Sequence, residues 1–240
     1  MNNKKNKKKS YFIYLSNVYR LTTVTLLVCI IVLGLLYVNA NGQKKCEKAS
    51  IIKKEIINPN VVFFGDSITD YYDLDKYYPN LKKVNSGISG QRTGDLKKDM
   101  YNRVYRYNPS KVILLIGINN FLSDDDSVDN VVGDIKEIVE NIHKELPNTE
   151  ISIQSIYPIN TDWGVIYNRG DSYVHNVTKK IIDSNDKIKK YCNDNKYTYI
   201  DVFEELSDDN CEFKREYTND GLHPNEKGYD KITETLKKYL

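Results

Sequence analysis

Metal-ligand patterns are missing from this 240-residue chain. It has four cysteines and three histidines, and no cluster of His, Cys and carboxylate residues has zinc-like spacing, so neither a metal nor another cofactor is expected. The glycines between Gly87 and Gly94 lack both the Gly-Lys-Ser/Thr ending and the dinucleotide spacing, which excludes a phosphate loop. There is no Gly-x-Ser-x-Gly elbow, which argues against the ordinary α/β-hydrolase layout. Internal repeats are absent too. A dominant charge is also lacking. The formal net charge is +2, but six basic residues and no acid fall in the first 20 positions (Lys4, Lys5, Lys7, Lys8, Lys9, Arg20). The other 220 residues hold 29 basic and 33 acidic groups, a net of −4. A body this close to neutral gives no reason to expect a nucleic-acid partner.

Charge disappears altogether from Leu21 to Gln43, and Val24 to Val38 is almost wholly apolar. With its softer flanks this run is long enough to cross a bilayer as a helix. The basic lead would stay in the cytoplasm and everything after Lys44 would be exported. Val38-Asn39-Ala40 offers a cleavage site for a secretory signal as the competing reading, but the long basic lead favours an uncleaved anchor. The expected organisation is a basic cytoplasmic segment (1–20), a membrane signal-anchor (21–40), a Lys-rich tether ending at Pro59 (41–59) and an outward-facing body (60–240). Cys29 lies in the apolar run as a small filler. Cys46 follows Gly42-Gln43-Lys44-Lys45, which lacks the residues a lipid-modification site requires. Cys192 and Cys211 lie in the exported part, where a disulfide and two free thiols are equally open.

In the body, short apolar runs alternate with longer amphipathic segments. Strands are expected at Val61–Phe64, Leu81–Asn85, Lys111–Ile116, Glu150–Ile156 and Tyr197–Val202. Helices are expected at Gly94–Tyr107, Val128–Leu146 and Tyr173–Asn195, with a closing helix from Pro224 to Leu240 and Pro224 in its first turn. Asp124-Asp125-Asp126 would sit at a helix entry. This alternation implies a parallel sheet covered on both faces, a three-layer α/β/α arrangement of five strands.

The first strand stops abruptly at Gly65-Asp66-Ser67, placing a hydroxyl at the rim where such sheets bind ligands. Near the C-terminus, Asp220-Gly221-Leu222-His223-Pro224 holds an acid and an imidazole three residues apart. A weak nucleophile, a base and an orienting carboxylate are the parts acyl transfer needs. Each has a plainer reading: Ser67 as a helix N-cap, Asp220 as an Asx-turn beside an exposed His223. His143 and His175 have no comparable acidic neighbour, so His223 is the candidate base.

Four segments, Gly65-Asp66-Ser67-Ile68-Thr69, Asn85-Ser86-Gly87-Ile88-Ser89-Gly90, Gly117-Ile118-Asn119-Asn120 and Asp220–Pro224, resemble in content and order the conserved blocks of the SGNH hydrolases, or GDSL esterase/lipase family. The resemblance covers nearly all of the chain after Val61. It implies a flavodoxin-like sheet, Ser67 as nucleophile, His223 as base and Asp220 as orienting acid. It also implies an oxyanion hole from the backbone N–H of Ser67 and of Gly90 and the side-chain amide of Asn119, with Asp66 and Asn120 in support. Where the family commonly has Gly-x-Asn-Asp, this chain ends in Asn120, which keeps hydrogen-bonding capacity but not charge. Gln91 and Arg92 stand where an acidic residue often follows the block-two glycine, and Arg92 is a candidate anchor for an anionic substrate group. Tyr157 and Trp163, after the fourth strand, are candidate substrate contacts. With no long apolar lid evident, a small-acyl ester, acetyl foremost, of an envelope or extracellular carbohydrate is the expected substrate. An O-acyltransferase on a cell-envelope glycan and a catalytically silent envelope-binding module are the alternatives.

Overall fold

The computed structural model describes residues 59–123, 126–160 and 171–240. The expected membrane segment, the tether and Trp163 lie outside the described residues. Among the described residues no helix is long and apolar enough to cross a membrane. Five strands, β1 (Val61–Gly65), β2 (Lys83–Gly87), β3 (Lys111–Leu115), β4 (Glu150–Gln154) and β5 (Thr198–Ile200), form one sheet in the order β2-β1-β3-β4-β5. Every pairing is parallel. This is the doubly wound order whose switch point lies between β1 and β3, where such sheets open a crevice at their carboxyl ends.

Register makes the rim a shared one. Gly65 is opposite both Gly87 of β2 and Leu115 of β3, so the three strands end at one level. The loops carrying Ser67, Gly90 and Asn119 therefore leave the sheet side by side. All five residues of β1 are buried, as a central strand covered on both faces requires. Strand β2 runs two residues later than the expected Leu81–Asn85. Its polar end is tolerated because Asn85 Nδ2 donates to the Thr69 and Tyr72 carbonyls and Ser86 Oγ to the Arg103 carbonyl.

Helices α1 (Ser67–Asp70) and α2 (Leu74–Tyr77) follow β1. The single helix expected at Gly94–Tyr107 is instead α3 (Thr93–Lys98), α4 (Met100–Arg103) and a 3₁₀ turn at Tyr105–Tyr107. The breaks fall at Asp99 and Val104, whose backbones are non-helical, and Leu96, Met100, Arg103 and Val104 are all buried. Helix α5 spans Ile118–Leu122 and α6 spans Val128–Glu145. The latter buries Val131, Val132, Ile135, Ile138, Val139 and Ile142, the expected apolar stripe, and Ser127 caps its start by accepting from the Asn130 N–H at 3.2 Å. Asp124 and Asp125 lie outside the described residues, and Asp126 accepts from Asn120.

Helix α7 spans Asp171–Asn195 and α8 spans Phe203–Leu206. Helix α9 begins at Glu226, not at Pro224, and ends at Leu236. Asn225 takes the cap by accepting from the Gly228 N–H, and Pro224 stays extended in a bridge with Thr218. Cys192 and Cys211 are both free thiols, and burial pushes the Cys192 thiol up to about 11, out of reactive range.

An aromatic cluster binds α9 to the segment after Ser67. Tyr72 stacks on Tyr229, with ring centroids 4.9 Å apart. Because Thr233 Oγ1 donates to the Tyr229 carbonyl, it accepts from Tyr72, which in turn accepts from Tyr78. The Tyr229 hydroxyl donates to the Ile68 carbonyl at 2.9 Å in a fully buried bond. This ties the tail of the fold directly to α1. Tyr229→Phe should lower unfolding stability by about 1–3 kcal/mol, since the Ile68 carbonyl loses a buried partner. Urea denaturation would measure it, and an unchanged midpoint would show that the bond contributes nothing.

Candidate active site

The chain turns sharply out of β1 at Gly65, where an added Cβ would sit 2.3 Å from the Leu115 carbonyl oxygen and from Thr69 Oγ1. Asp66, not Ser67, caps the helix that follows: its Oδ1 accepts from the Ile68 N–H at 3.0 Å. Ser67 is the first helical residue, so its hydroxyl is spared for another partner. That partner is His223, whose Nε2 lies 3.0 Å from Ser67 Oγ.

The Asx-turn reading of Asp220 holds as well, and it serves the imidazole. Asp220 Oδ1 accepts from the backbone N–H groups of Leu222 at 2.9 Å and His223 at 2.7 Å, while Oδ2 lies 2.7 Å from His223 Nδ1. A carboxylate only accepts, so Nδ1 carries the proton and Nε2 is left to accept from the serine. Desolvation works to raise the Asp220 pKa, but the hydrogen bonds from the His223 ring and from two backbone N–H groups outweigh it and hold the carboxyl below its ordinary value. The loop is fixed from beneath. Asn160 donates its backbone N–H to the Gly221 carbonyl and its side-chain amide to the Phe213 carbonyl. Thr218 Oγ1 accepts from the Gly221 N–H.

The expected oxyanion donors arrive on neighbouring loops. Gly90 is exposed, has φ of 77°, and would meet nothing within 4 Å if it carried a Cβ. The left-handed backbone calls for glycine, and the open space leaves the loop accessible. The Asn119 amide donates to the Gln91 carbonyl at 2.9 Å, which uses one of its two hydrogens and fixes the direction of the other. Asn120 is buried away from solvent. Its Oδ1 accepts from the Thr93 N–H, and its Nδ2 donates to Thr93 Oγ1 and to Asp126 Oδ2. A carboxylate here would confront Asp126 with like charge, so the amide suits this site.

One expected substrate contact, Tyr157, is placed elsewhere. Tyr157 is 2% exposed, with its hydroxyl donating to Gln154 Oε1 at 2.5 Å. It is a core residue, because the chain after β4 turns its ring inward. Arg92 is half-buried at the N-cap position of α3, where its backbone N–H donates to Asp95 Oδ2. His143 and His175 are exposed on α6 and α7.

Two residues near the rim escape sequence reasoning. Tyr71 is 56% exposed with its ring centroid 5.2 Å from that of His223. Arg103 is 4% exposed and reaches Gln91 and the ends of β1 and β2. For Arg103 a signal existed: it lies on the Leu96, Met100, Val104 stripe, a buried position for a charged residue.

Asp66 is fully buried, and this desolvation lifts its pKa to about 7 despite the Ile68 N–H and the nearby Arg103 charge. Its Oδ2 has no hydrogen-bond partner among the described residues. The folded state thus holds a proton that the unfolded chain releases near pH 4, so stability falls as pH rises from about 4 to about 7. Asp66→Asn keeps a capping oxygen without the ionisation. Its urea midpoint should decline less than that of wild type between pH 5 and pH 8, and equal slopes would contradict the assignment.

None of the curated proteins matches this chain. The solved structures similar to it include a protein from Streptococcus pneumoniae described as a platelet activating factor, at 28% identity and a TM-score of 0.67, covering 83% of this chain and 98% of that one. A GDSL-like lipase from Bacteroides thetaiotaomicron matches at 22% identity and a TM-score of 0.67, covering 76% and 87%. An acetyl-xylooligosaccharide esterase from Geobacillus matches at 20% identity and a TM-score of 0.58, covering 75% and 93%. At these last two identities the likeness shows the fold alone. The family model for GDSL-like lipases and acylhydrolases matches residues 63–231, which contain every one of the rim residues described above, and the chain therefore belongs to the GDSL-like lipase/acylhydrolase family.

Proposed function

We propose that this protein is a serine esterase that removes a small acyl group, acetyl foremost, from a carbohydrate ester through an acyl-enzyme at Ser67. The observation that carries the reading is the uninterrupted relay from Ser67 Oγ through the His223 ring to Asp220, at 3.0 and 2.7 Å. In this mechanism His223 Nε2 takes the serine proton as Oγ attacks the ester carbonyl. The developing oxyanion is met by the N–H groups of Ser67 and Gly90 and by the Asn119 amide. His223 then returns the proton to the leaving alcohol, and water repeats the sequence to release the acid.

Three observations favour a small acyl group on a sugar. Among the described residues the large exposed hydrophobics number four, Tyr71, Ile88, Tyr101 and Leu240, and only the first two flank the rim, which is little apolar surface for a long chain. The Geobacillus neighbour is an acetyl-xylooligosaccharide esterase. Tyr71 lies beside His223, and the imidazole that protonates the leaving oxygen must face the alcohol. An exposed tyrosine ring there is suited to lie against a sugar face. The apolar run at 21–43 and its basic lead support an outer membrane-surface location for the body.

The decisive assay is acetate release from p-nitrophenyl acetate and from acetylated xylo-oligosaccharide by the full chain. Ser67→Ala should reduce turnover by about a thousandfold or more. Turnover unaffected by Ser67→Ala would refute the mechanism. Tyr71→Ala should raise KM for the sugar acetate several-fold while leaving ethyl acetate hydrolysis nearly unchanged. Equal losses on both esters would remove Tyr71 from the alcohol side.

A further inference from the structure

We propose that Arg103 is the positioning residue of the oxyanion hole and acts through Gln91, an inference that rests on the ester-hydrolase reading above. Its guanidinium joins three segments that carry the expected oxyanion donors or lead into them. Nη2 donates to the Gly65 carbonyl at 2.8 Å, immediately before Asp66-Ser67, and to the Ser86 carbonyl at the end of β2. Nη1 donates to the Gln91 side-chain oxygen. Gln91 in turn follows Gly90, and its own carbonyl accepts from the Asn119 amide. The two donors that do not belong to the nucleophile are thus referenced to Gln91, Gln91 to Arg103, and Arg103 to the strand end that carries Ser67.

The arrangement is costly for a mere strut. Arg103 is buried, and desolvation lowers its pKa against the opposing pull of Asp99, Asp66 and Asp70. Its hydrogen-bond acceptors among the described residues are neutral carbonyl and amide oxygens, and the guanidinium lies 4.7 Å from the Phe64 ring centroid. Among the described residues no carboxylate hydrogen-bonds the guanidinium, and a buried cation held in this way is retained where something needs its geometry. The planar fork presents several donors at fixed angles, which one ammonium on a flexible stem does not. Ser86 Oγ donates back to the Arg103 carbonyl at 2.7 Å, so backbone and side chain of Arg103 are both locked. Such rigidity matters because an oxyanion donor contributes only when it is already aimed at the charge that develops.

Gln91→Leu removes the acceptor from a half-buried loop position without touching the buried arginine, and Arg103→Lys keeps the charge while losing the fork. In the full-length protein both should lower kcat on p-nitrophenyl acetate about 10- to 100-fold with KM within threefold. Affinity for phenylboronic acid, whose tetrahedral serine adduct occupies the oxyanion hole, should fall in parallel. Gln91→Glu, which restores an acceptor for the fork, should recover most of the loss. The Gln91→Leu/Arg103→Lys double variant should be no worse than the poorer single one. A folded Gln91→Leu protein with wild-type kcat and boronate affinity would overturn the proposal, as would losses that add in full or appear only in KM. Ser67→Ala separates the two readings: if it stays active the ester-hydrolase reading falls, whereas its inactivity beside a fully active Gln91→Leu removes Arg103 alone.

Discussion

The level at which β1, β2 and β3 end is the constraint on which the rest of this molecule depends. Gly65 pairs with Gly87 on one side and Leu115 on the other, so three loops distant in sequence are delivered to one edge without further adjustment. A one-residue slip of β2 would invert its side chains and carry Gly90 away from Ser67. Glycine at the two ends is steric necessity as much as turn chemistry. A Cβ on Gly87 would lie 2.1 Å from the Asp70 N atom, inside the backbone of α1. The close approach of α1 to β2 is what brings hydroxyl and oxyanion loop together.

The imidazole comes from the far end of the chain, and two devices place it. The Asx-turn of Asp220 shapes the loop with one oxygen and orients the ring with the other. The Tyr229 hydroxyl fastens α9 to the Ile68 carbonyl, one residue past Ser67. Two ionisable groups are meanwhile taken out of water close by, Asp66 and Arg103. Neither touches the relay, and both border the turn that presents Ser67. Burying both costs stability at the turn that carries Ser67.

Much of this was legible in the residues. The apolar runs marked the central strands β1, β3 and β4, because strands buried on both faces leave an unbroken hydrophobic signature, whereas the polar edge strand β2 was expected two residues early; the stripe of α6 announced its helix. Ser67, Asp220 and His223 were identifiable because their spacing and local glycines are chemical requirements of the turn each occupies. What failed to show was geometry set by long-range partners. Tyr157 and Tyr71 are the same residue type at chain exits from the sheet, yet one is core and the other lies against His223; only tertiary packing separates them. Pro224 looked like a helix start because nothing local revealed that Asn225 would win the cap. The break of 94–107 at Asp99 and Val104 left no local mark, because Leu96, Met100, Arg103 and Val104 share one helical face and read as a single continuous helix.

The central claim is that Ser67 is made nucleophilic by His223. The most direct measurement is labelling of the intact protein with a fluorophosphonate ester, followed by mass spectrometry of the modified peptide and repeated with His223→Asn. The account predicts a single adduct on Ser67, formed at least a hundredfold more slowly in the variant. Modification at another residue, or equal rates in the two proteins, would contradict it.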